Sequence, residues 1–407
     1  MMDVGFPLAL MGCSFIVATL IYPYVLSFAK KHGIVDNPSV RKLQRVPVPV
    51  MGGTTAFIGM IAAVVVGFVV VPDERLLKIM GLLAFMYIIG LWDDIKDISA
   101  AFRFILELLA VWLVMWSLGL EINNLHGLWG IYQMPEVISV PLSLVAGVGI
   151  MNAINLIDGV DGYCSMYSMI ACAAFAVIFF YAGDMSMFTL ALIAIGALIP
   201  FFFHNVFGKL SKMFMGDSGS LMLGILFAIF VFNVLSLDPQ SVFFDDIGPS
   251  LPAVVLAILA VPVFDTLKVM IFRVKRGVSP FHPDKTHLHH LFIDMNFSHL
   301  LTSGVIVFAN LLMILFLLVG WRLGLSMDGQ LYLVIAMALL FTWGFYFWMI
   351  HEHQKNDGDG SELWKKWSEH AKATNISSTV IWKLIQRIAD SKLFGVGFLK
   401  KHPENNE

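Results

Sequence analysis

Eleven apolar runs, each long enough at roughly 20 residues to cross a bilayer, leave this chain few folds to adopt. They lie near 5–29, 51–72, 77–92, 104–121, 138–157, 165–182, 187–204, 219–236, 251–272, 301–321 and 329–350. In lipid every backbone N–H and C=O must be satisfied within the chain, so runs of this length cross as helices. The expected fold is all-α, a polytopic membrane bundle of about eleven transmembrane helices. Composition agrees: 58% hydrophobic, 14% charged and a mean hydropathy of +0.81, against about 45–50% apolar and about 25% charged in soluble domains. Short connectors make 1–350 one transmembrane domain and set 351–407 apart as a cytoplasmic amphipathic tail. The first run lacks a basic leader and a small-residue cleavage site, so it is expected to persist as a helix. A net charge of −3 offers no footprint for nucleic acid. Cys13, Cys164 and Cys172 form neither a disulfide framework nor a CxxC pattern.

Orientation follows from the basic residues, which stay on the cytoplasmic side. One set of loops carries Lys30, Lys31, Arg41, Lys42, Arg45, Lys96, Arg103, Lys209, Lys212, Arg273, Lys275, Arg276 and Lys285. The other carries Arg75, Lys78 and Arg322, with Asp238, Asp245 and Asp246 in one acidic loop. The amino terminus is expected outside, with the odd-numbered loops and the carboxyl tail in the cytoplasm.

The polar motifs fall on that cytoplasmic face. The densest is MNAINLIDGVDGYC at 151–164, where Asn155, Asp158 and Asp161 follow an apolar run. Carboxylates there are costly unless used; a polar turn is the plainer reading of Asp and Gly. Val35-Asp36-Asn37-Pro38 occupies the first loop, Asp93-Asp94-Ile95-Lys96-Asp97 the third, FMGDSGS at 214–220 the seventh, and Arg276 with PDK at 283–285 and HLHH at 287–290 the ninth. A face rich in Asp with interspersed Lys, Arg and His suits phosphate chemistry with Mg²⁺, which takes one or two carboxylates together with substrate phosphate oxygens. Basic side chains and metal must offset the carboxylates before a diphosphate can approach.

Several of these motifs, in order and spacing, resemble the polyprenyl-phosphate N-acetylhexosamine-1-phosphate transferases, and among them the bacterial UDP-N-acetylglucosamine:undecaprenyl-phosphate enzymes. The resemblance spans about residues 10 to 350. It rests on VDNPxxRK at 35–42, Gly52-Gly53, LWDDxxDIS at 91–99, NAINLIDGVDG at 152–162, His204-Asn205, FMGDSGS at 214–220 and SPFHPDKTHLHHL at 279–291. It implies attack of a lipid phosphate oxygen on the β-phosphorus of UDP-GlcNAc at the cytoplasmic face of a bacterial inner membrane. The products would be undecaprenyl-diphospho-GlcNAc and UMP, the first lipid-linked step of O-antigen, common-antigen or other envelope polysaccharide synthesis. It further implies Mg²⁺, with Mn²⁺ as a substitute, and a homodimer. By motif matching, Asp217 is the main metal ligand, and Asp93 and Asp94 lie by the metal or activate the lipid phosphate. Asp158 and Asp161 are the catalytic carboxylates of the DGVDG loop, and Asn155 and Asn205 lie on the substrate side. Phe214 stacks on uracil, and His287, His289 and His290 meet the diphosphate or sugar. Arg276 is a phosphate partner, and Asp36 is a substrate contact or part of a solvated turn.

Several alternatives stay open. HLHH could bind zinc, although no cysteine is near, and DGVDG lacks the ligand spacing of an EF-hand. The subfamily that transfers phospho-N-acetylmuramoyl-pentapeptide resembles HHHFE, whereas this chain reads HLHHLF, favouring GlcNAc or another UDP-2-acetamido sugar. Ala101 stands where relatives often carry a basic residue. A transporter or lipid-binding protein would share the hydropathy but would place its charges near the bilayer midplane. In the tail, 361–373 and 380–389 read as amphipathic helices on the inner leaflet or as a partner-binding pair.

Overall fold

The computed structural model describes residues 4–37, 46–236, 248–280, 286–355, 361–373 and 379–391. Arg41, Lys42, Asp238, Asp245, Asp246, Asp284 and Lys285 lie outside the described residues. In chain order the elements are α1 (Gly5–His32), β1 (Val35–Asp36), β2 (Val48–Pro49), α2 (Gly52–Val70), α3 (Glu74–Lys96), α4 (Ala100–Leu118) and α5 (Glu136–Leu156). They continue with α6 (Tyr163–Ala182), α7 (Met185–Phe207), α8 (Gly216–Val234), α9 (Leu251–Lys275), α10 (Leu288–Asp294) and α11 (His299–Arg322). Next come α12 (Met327–Leu339), a π-helical turn (Leu340–Gly344), α13 (Phe345–Gln354), α14 (Glu362–Ala373) and α15 (Val380–Ala389).

Among the described residues, eleven helical spans are long and apolar enough to cross a membrane; α12, the π turn and α13 together make the last. The chain is a multi-pass membrane protein, as its apolar runs require. Helix ends differ from the runs where capping extends them. The 77–92 run lies inside a helix of residues 74–96, because the Asp73 carboxylate accepts from Leu76 N at 3.1 Å and charged residues complete the turns at both ends. The β1–β2 pair, Val35 opposite Pro49 and Asp36 opposite Val48, is too short for any periodicity to announce.

Helix α8 is the axis of the bundle. Its membrane window is 94% buried, against 22% for α4 and for the last span, and α2, α3 and α5 pack around it. Without a hydrophobic force between helices in lipid, close backbone approach supplies the attraction. Gly90 of α3 shows how tight this is: a Cβ there would lie 2.3 Å from the carbonyl oxygen of Asp217 on α8. We expect Gly90→Ala to force the two backbones apart, at about 1–3 kcal/mol. Thermal unfolding in detergent would show a lowered midpoint, and activity should fall further because Asp217 sits on the displaced backbone.

Candidate active site

Where α3, α5, α8 and α9 end on one side of the bundle, the connecting loops enclose a cavity of about 1220 Å³. Twelve of the thirteen residues singled out in the sequence line it: Asp36, Asp93, Asp94, Asn155, Asp158, Asp161, Asn205, Phe214, Asp217, His287, His289 and His290. Arg276 does not; Arg273, nearly one turn earlier on α9, takes the wall position. The signal for that exchange was helical spacing, since both arginines lie in one basic run.

Asp94 fixes the floor. Its two carboxylate oxygens accept from the N–H groups of Asp217 at 2.7 Å and Ser218 at 3.0 Å, capping the positive end of α8. That end opens on Gly216, at φ +77°, a left-handed conformation that glycine adopts at little cost. Gly216 therefore turns the chain so that Asp217 enters the cavity on the first turn of the helix. Asn155 Nδ2 donates to Asp217 Oδ1 and, at 2.9 Å, to Ser220 Oγ.

Asp93 faces the neighbouring helix. Its Oδ1 accepts from Ile98 N at 2.9 Å and its Oδ2 from Arg103 Nη1 at 3.1 Å. Arg103 also reaches Glu107 Oε1 at 3.3 Å through Nε, and its Nη1 lies 3.9 Å from Asp217 Oδ1. One guanidinium thus ties three carboxylates, and Glu107 is almost fully buried at 1% exposure. The sequence reading counted Arg103 as a topological charge and matched it to a basic residue of the relatives two positions after Ala101, but did not place it among the site residues. The signal available was its i,i+4 pairing with Glu107 inside an apolar run.

The loop 157–162 carries two carboxylates with opposite electrostatics. Burial pushes the pKa of Asp158 well above the carboxylic range, and the charges of Asp217 and Asp94 add to the push, partly opposed by the Gly216 N–H. Burial would raise Asp161 too, but a hydrogen bond and ion pair with His299 at 2.8 Å and Lys212 at 2.6 Å outweigh it and lower its pKa. Asp161 therefore staples the loop to α11 and holds Lys212 on the cavity wall. Asn205 adds a second staple, accepting from Gly162 N at 2.7 Å and donating to Met213 O at 2.9 Å. Phe214 stands beside Lys212, whose Nζ lies 5.6 Å from the ring centre. Asp36 reaches the wall on the β1–β2 hairpin, which joins the site through Phe214 N donating to Pro49 O at 2.8 Å.

The histidines are set by a network that the sequence reading missed. Lys268 Nζ lies 2.7 Å from Asp265 Oδ1 and 3.6 Å from the centre of the Tyr346 ring. The same carboxylate accepts from His287 Nδ1 at 2.9 Å and from Leu288 N at 3.1 Å. With Nδ1 bound to Asp265, His287 keeps a buried Nε2 without a protein partner among the described residues, and the residue lines the cavity. Burial, then the neighbouring His290 and His287, drive His289 well below the usual histidine pKa, so it is neutral near pH 7. Ionisable residues inside the apolar run of α9 were the available signal.

Among the described residues, no three His, Cys, Asp or Glu side chains close around an ion by themselves. The donor set nevertheless fits Mg²⁺, which takes one or two carboxylates and completes its shell with phosphate oxygens and water. Asp217 and Asp158 line the cavity; burial first, and then the charges of Asp217 and Asp94, raise the pKa of Asp158, and a cation would offset the charge part of that push.

Comparisons with known proteins decide the family. A probable undecaprenyl-phosphate N-acetylglucosaminyl 1-phosphate transferase of Bacillus subtilis is 33% identical over 295 residues, 72% of this chain and 79% of the relative. The undecaprenyl-phosphate alpha-N-acetylglucosaminyl 1-phosphate transferase of Yersinia pestis is 30% identical over 334 residues, covering 79% and 88%. That of Escherichia coli K12 is 32% identical over 289 residues, covering 70% and 76%. The model of glycosyl transferase family 4 matches residues 76–236. The chain belongs to glycosyl transferase family 4. In this family 4 transferase the matched segment runs from α3 through α8, so it contains Asp93, Asp94, Arg103, the DGVDG loop and Asp217. The resemblance drawn from the motifs is thereby borne out.

Proposed function

We propose that this membrane protein transfers N-acetylglucosamine 1-phosphate from UDP-GlcNAc to undecaprenyl phosphate, with Mg²⁺ (or Mn²⁺), on the cytoplasmic face of a bacterial inner membrane. The observation that carries this reading is the single cavity in which carboxylates, cations and histidines from the separate motifs meet; the relatives' names supply the substrates. Lys212 and Arg273, described residues of two of the basic loops, line the cavity, which supports an outward amino terminus and an inward tail.

The lipid phosphate is a monoester with a second pKa near 6, so near pH 7 its oxygen attacks the β-phosphorus without a protein base. The new P–O bond forms as the bond to UMP breaks. Asp217 and Asp158 would hold the metal, and the chemistry it would supply there is charge neutralisation on the diphosphate. Asp94 and Asp93 act by holding the α8 terminus and Arg103 where those groups meet the phosphates. Phe214 stacks on uracil with Lys212 alongside, and Asn205 and Asp161 keep that wall in place. His287, whose Nδ1–H is held by Asp265, offers Nε2 as an acceptor to a sugar hydroxyl, and neutral His289 meets the diphosphate or sugar with His290, while Asp36 and Arg276 lie at the edge of the substrate path.

The test is purified protein with Mg²⁺, undecaprenyl phosphate and sugar-labelled UDP-GlcNAc, followed by lipid extraction. Label in the lipid phase is expected, with UDP-GlcNAc used faster than other UDP-2-acetamido sugars; no labelled lipid from a folded sample overturns the proposal. Topology has its own check at the two ends of α3. A membrane-impermeant maleimide should label Lys78→Cys in spheroplasts with an intact inner membrane and Lys96→Cys only after permeabilisation; the reverse pattern would invert the bundle.

A further inference from the structure

The wall that carries Lys212 and Phe214 is held from behind by the carboxyl tail, far outside the family motifs. Three consecutive backbone N–H groups, those of Lys209, Leu210 and Ser211, converge on the Asp390 carboxylate just past α15. Oδ1 accepts from Leu210 N at 3.0 Å, from Ser211 N at 2.9 Å and from Ser211 Oγ at 2.9 Å. Lys209 N is shared between the two oxygens at 3.2 Å each. A turn whose successive N–H groups point one way forms a concave site for an anion, and here the chain supplies that anion from 179 residues away. The other side of the turn is held by α1: Lys30 Nζ donates to Leu210 O at 2.8 Å and Tyr22 Oη to Ser211 O at 2.9 Å. Trp382 of α15 packs on Phe207, the last residue of α7, with ring centres 5.0 Å apart. Of the next residues, Lys212 and Phe214 line the cavity, tied there by the Lys212–Asp161 pair and the Phe214–Pro49 bond.

We propose that Asp390 is a positioning residue for the transfer reaction: it clamps the turn at 209–211 and thereby sets Lys212 and Phe214 for the UDP-sugar. The nucleotide role of this wall rests on the function proposed above; the clamp itself does not. Hydrogen bonds from N–H groups to a carboxylate are among the stronger kind, and losing them frees the turn without touching the metal side of the cavity. Asp390→Ala should therefore raise KM for UDP-GlcNAc by about tenfold and change kcat by less than about twofold. Asp390→Asn keeps a neutral acceptor at the oxygen that takes most of the bonds, so its KM should fall between. A merely destabilising change would lower the active fraction, hence apparent kcat, and leave KM alone.

Two readouts on the full-length protein test this. Hydrogen exchange needs no substrate: the amides of 209–211 should be protected in the wild type and exchange at least about tenfold faster in Asp390→Ala. Steady-state kinetics give the KM and kcat split. If protection is unchanged, no clamp exists and the proposal falls. If protection is lost but KM is unchanged in an active enzyme, the clamp does not position the site, and the proposal falls equally. A wild type inactive on UDP-GlcNAc would overturn the function reading and the positioning role, while the exchange result would stand by itself.

Discussion

Replacing Asp217 by Asn should lower formation of lipid-linked product by about 10³-fold, the scale of losing a principal charge-stabilising group in an active site. The substitution is nearly isosteric, and Oδ1 can still accept from Asn155. The Arg103 contact at 3.9 Å is too long to hold the fold by itself, so the thermal midpoint should stay close to that of the wild type. Activity should recover only partly at high Mg²⁺, because a neutral amide is a poor ligand for a hard cation. Product formation measured across a Mg²⁺ titration, beside an unfolding curve, checks both halves. An Asp217→Asn protein with normal turnover at low Mg²⁺ would remove Asp217 from the metal site.

The second large effect concerns Arg103, four residues beyond the end of the LWDDxxDIS motif. Arg103→Ala leaves Asp93, Glu107 and the nearby Asp217 without their shared cation. Removing one partner of a buried ion pair costs about 3–5 kcal/mol, because the stranded charge stays buried. The prediction is a strongly destabilised and inactive protein. Arg103→Lys should fold better yet remain impaired, since an ammonium cannot present a planar fork to several carboxylates. Adding Glu107→Gln to Arg103→Ala removes the most buried stranded charge; it should restore part of the thermal midpoint and none of the activity. Additive effects in that double-mutant cycle would mean that the two residues are not coupled.

How legible this protein was depended on what each feature needs. Transmembrane helices declare themselves by length and hydropathy, so the number of spans was available and only their ends moved, as at Asp73 with its cap. The motif residues were also readable: Asp158, Asp217 and His287 come from three distant segments, yet all line one cavity. What stayed hidden was the layer holding them. Arg103, Lys212, Asp265 and His299 are ordinary residues singly, and their meaning lies in contacts made 51 residues apart for Lys212 and 138 apart for His299. Asp94 reads as a catalytic carboxylate in sequence, whereas in the fold both of its oxygens face the first N–H groups of α8. The tail was readable as amphipathic helices, with Val380, Ile381 and Leu384 exposed on α15. Its hold on the turn at 209–211 had no sequence signal, since any Asp could stand at 390.

The central claim is that a phosphosugar, and not a bare sugar, moves to the lipid. UDP-GlcNAc labelled with ³²P at the β-phosphorus tests it most directly. The protein should carry the label into the undecaprenyl fraction and release unlabelled UMP in equal amount. Labelled UDP in the aqueous phase, with a lipid product free of ³²P, would contradict the account.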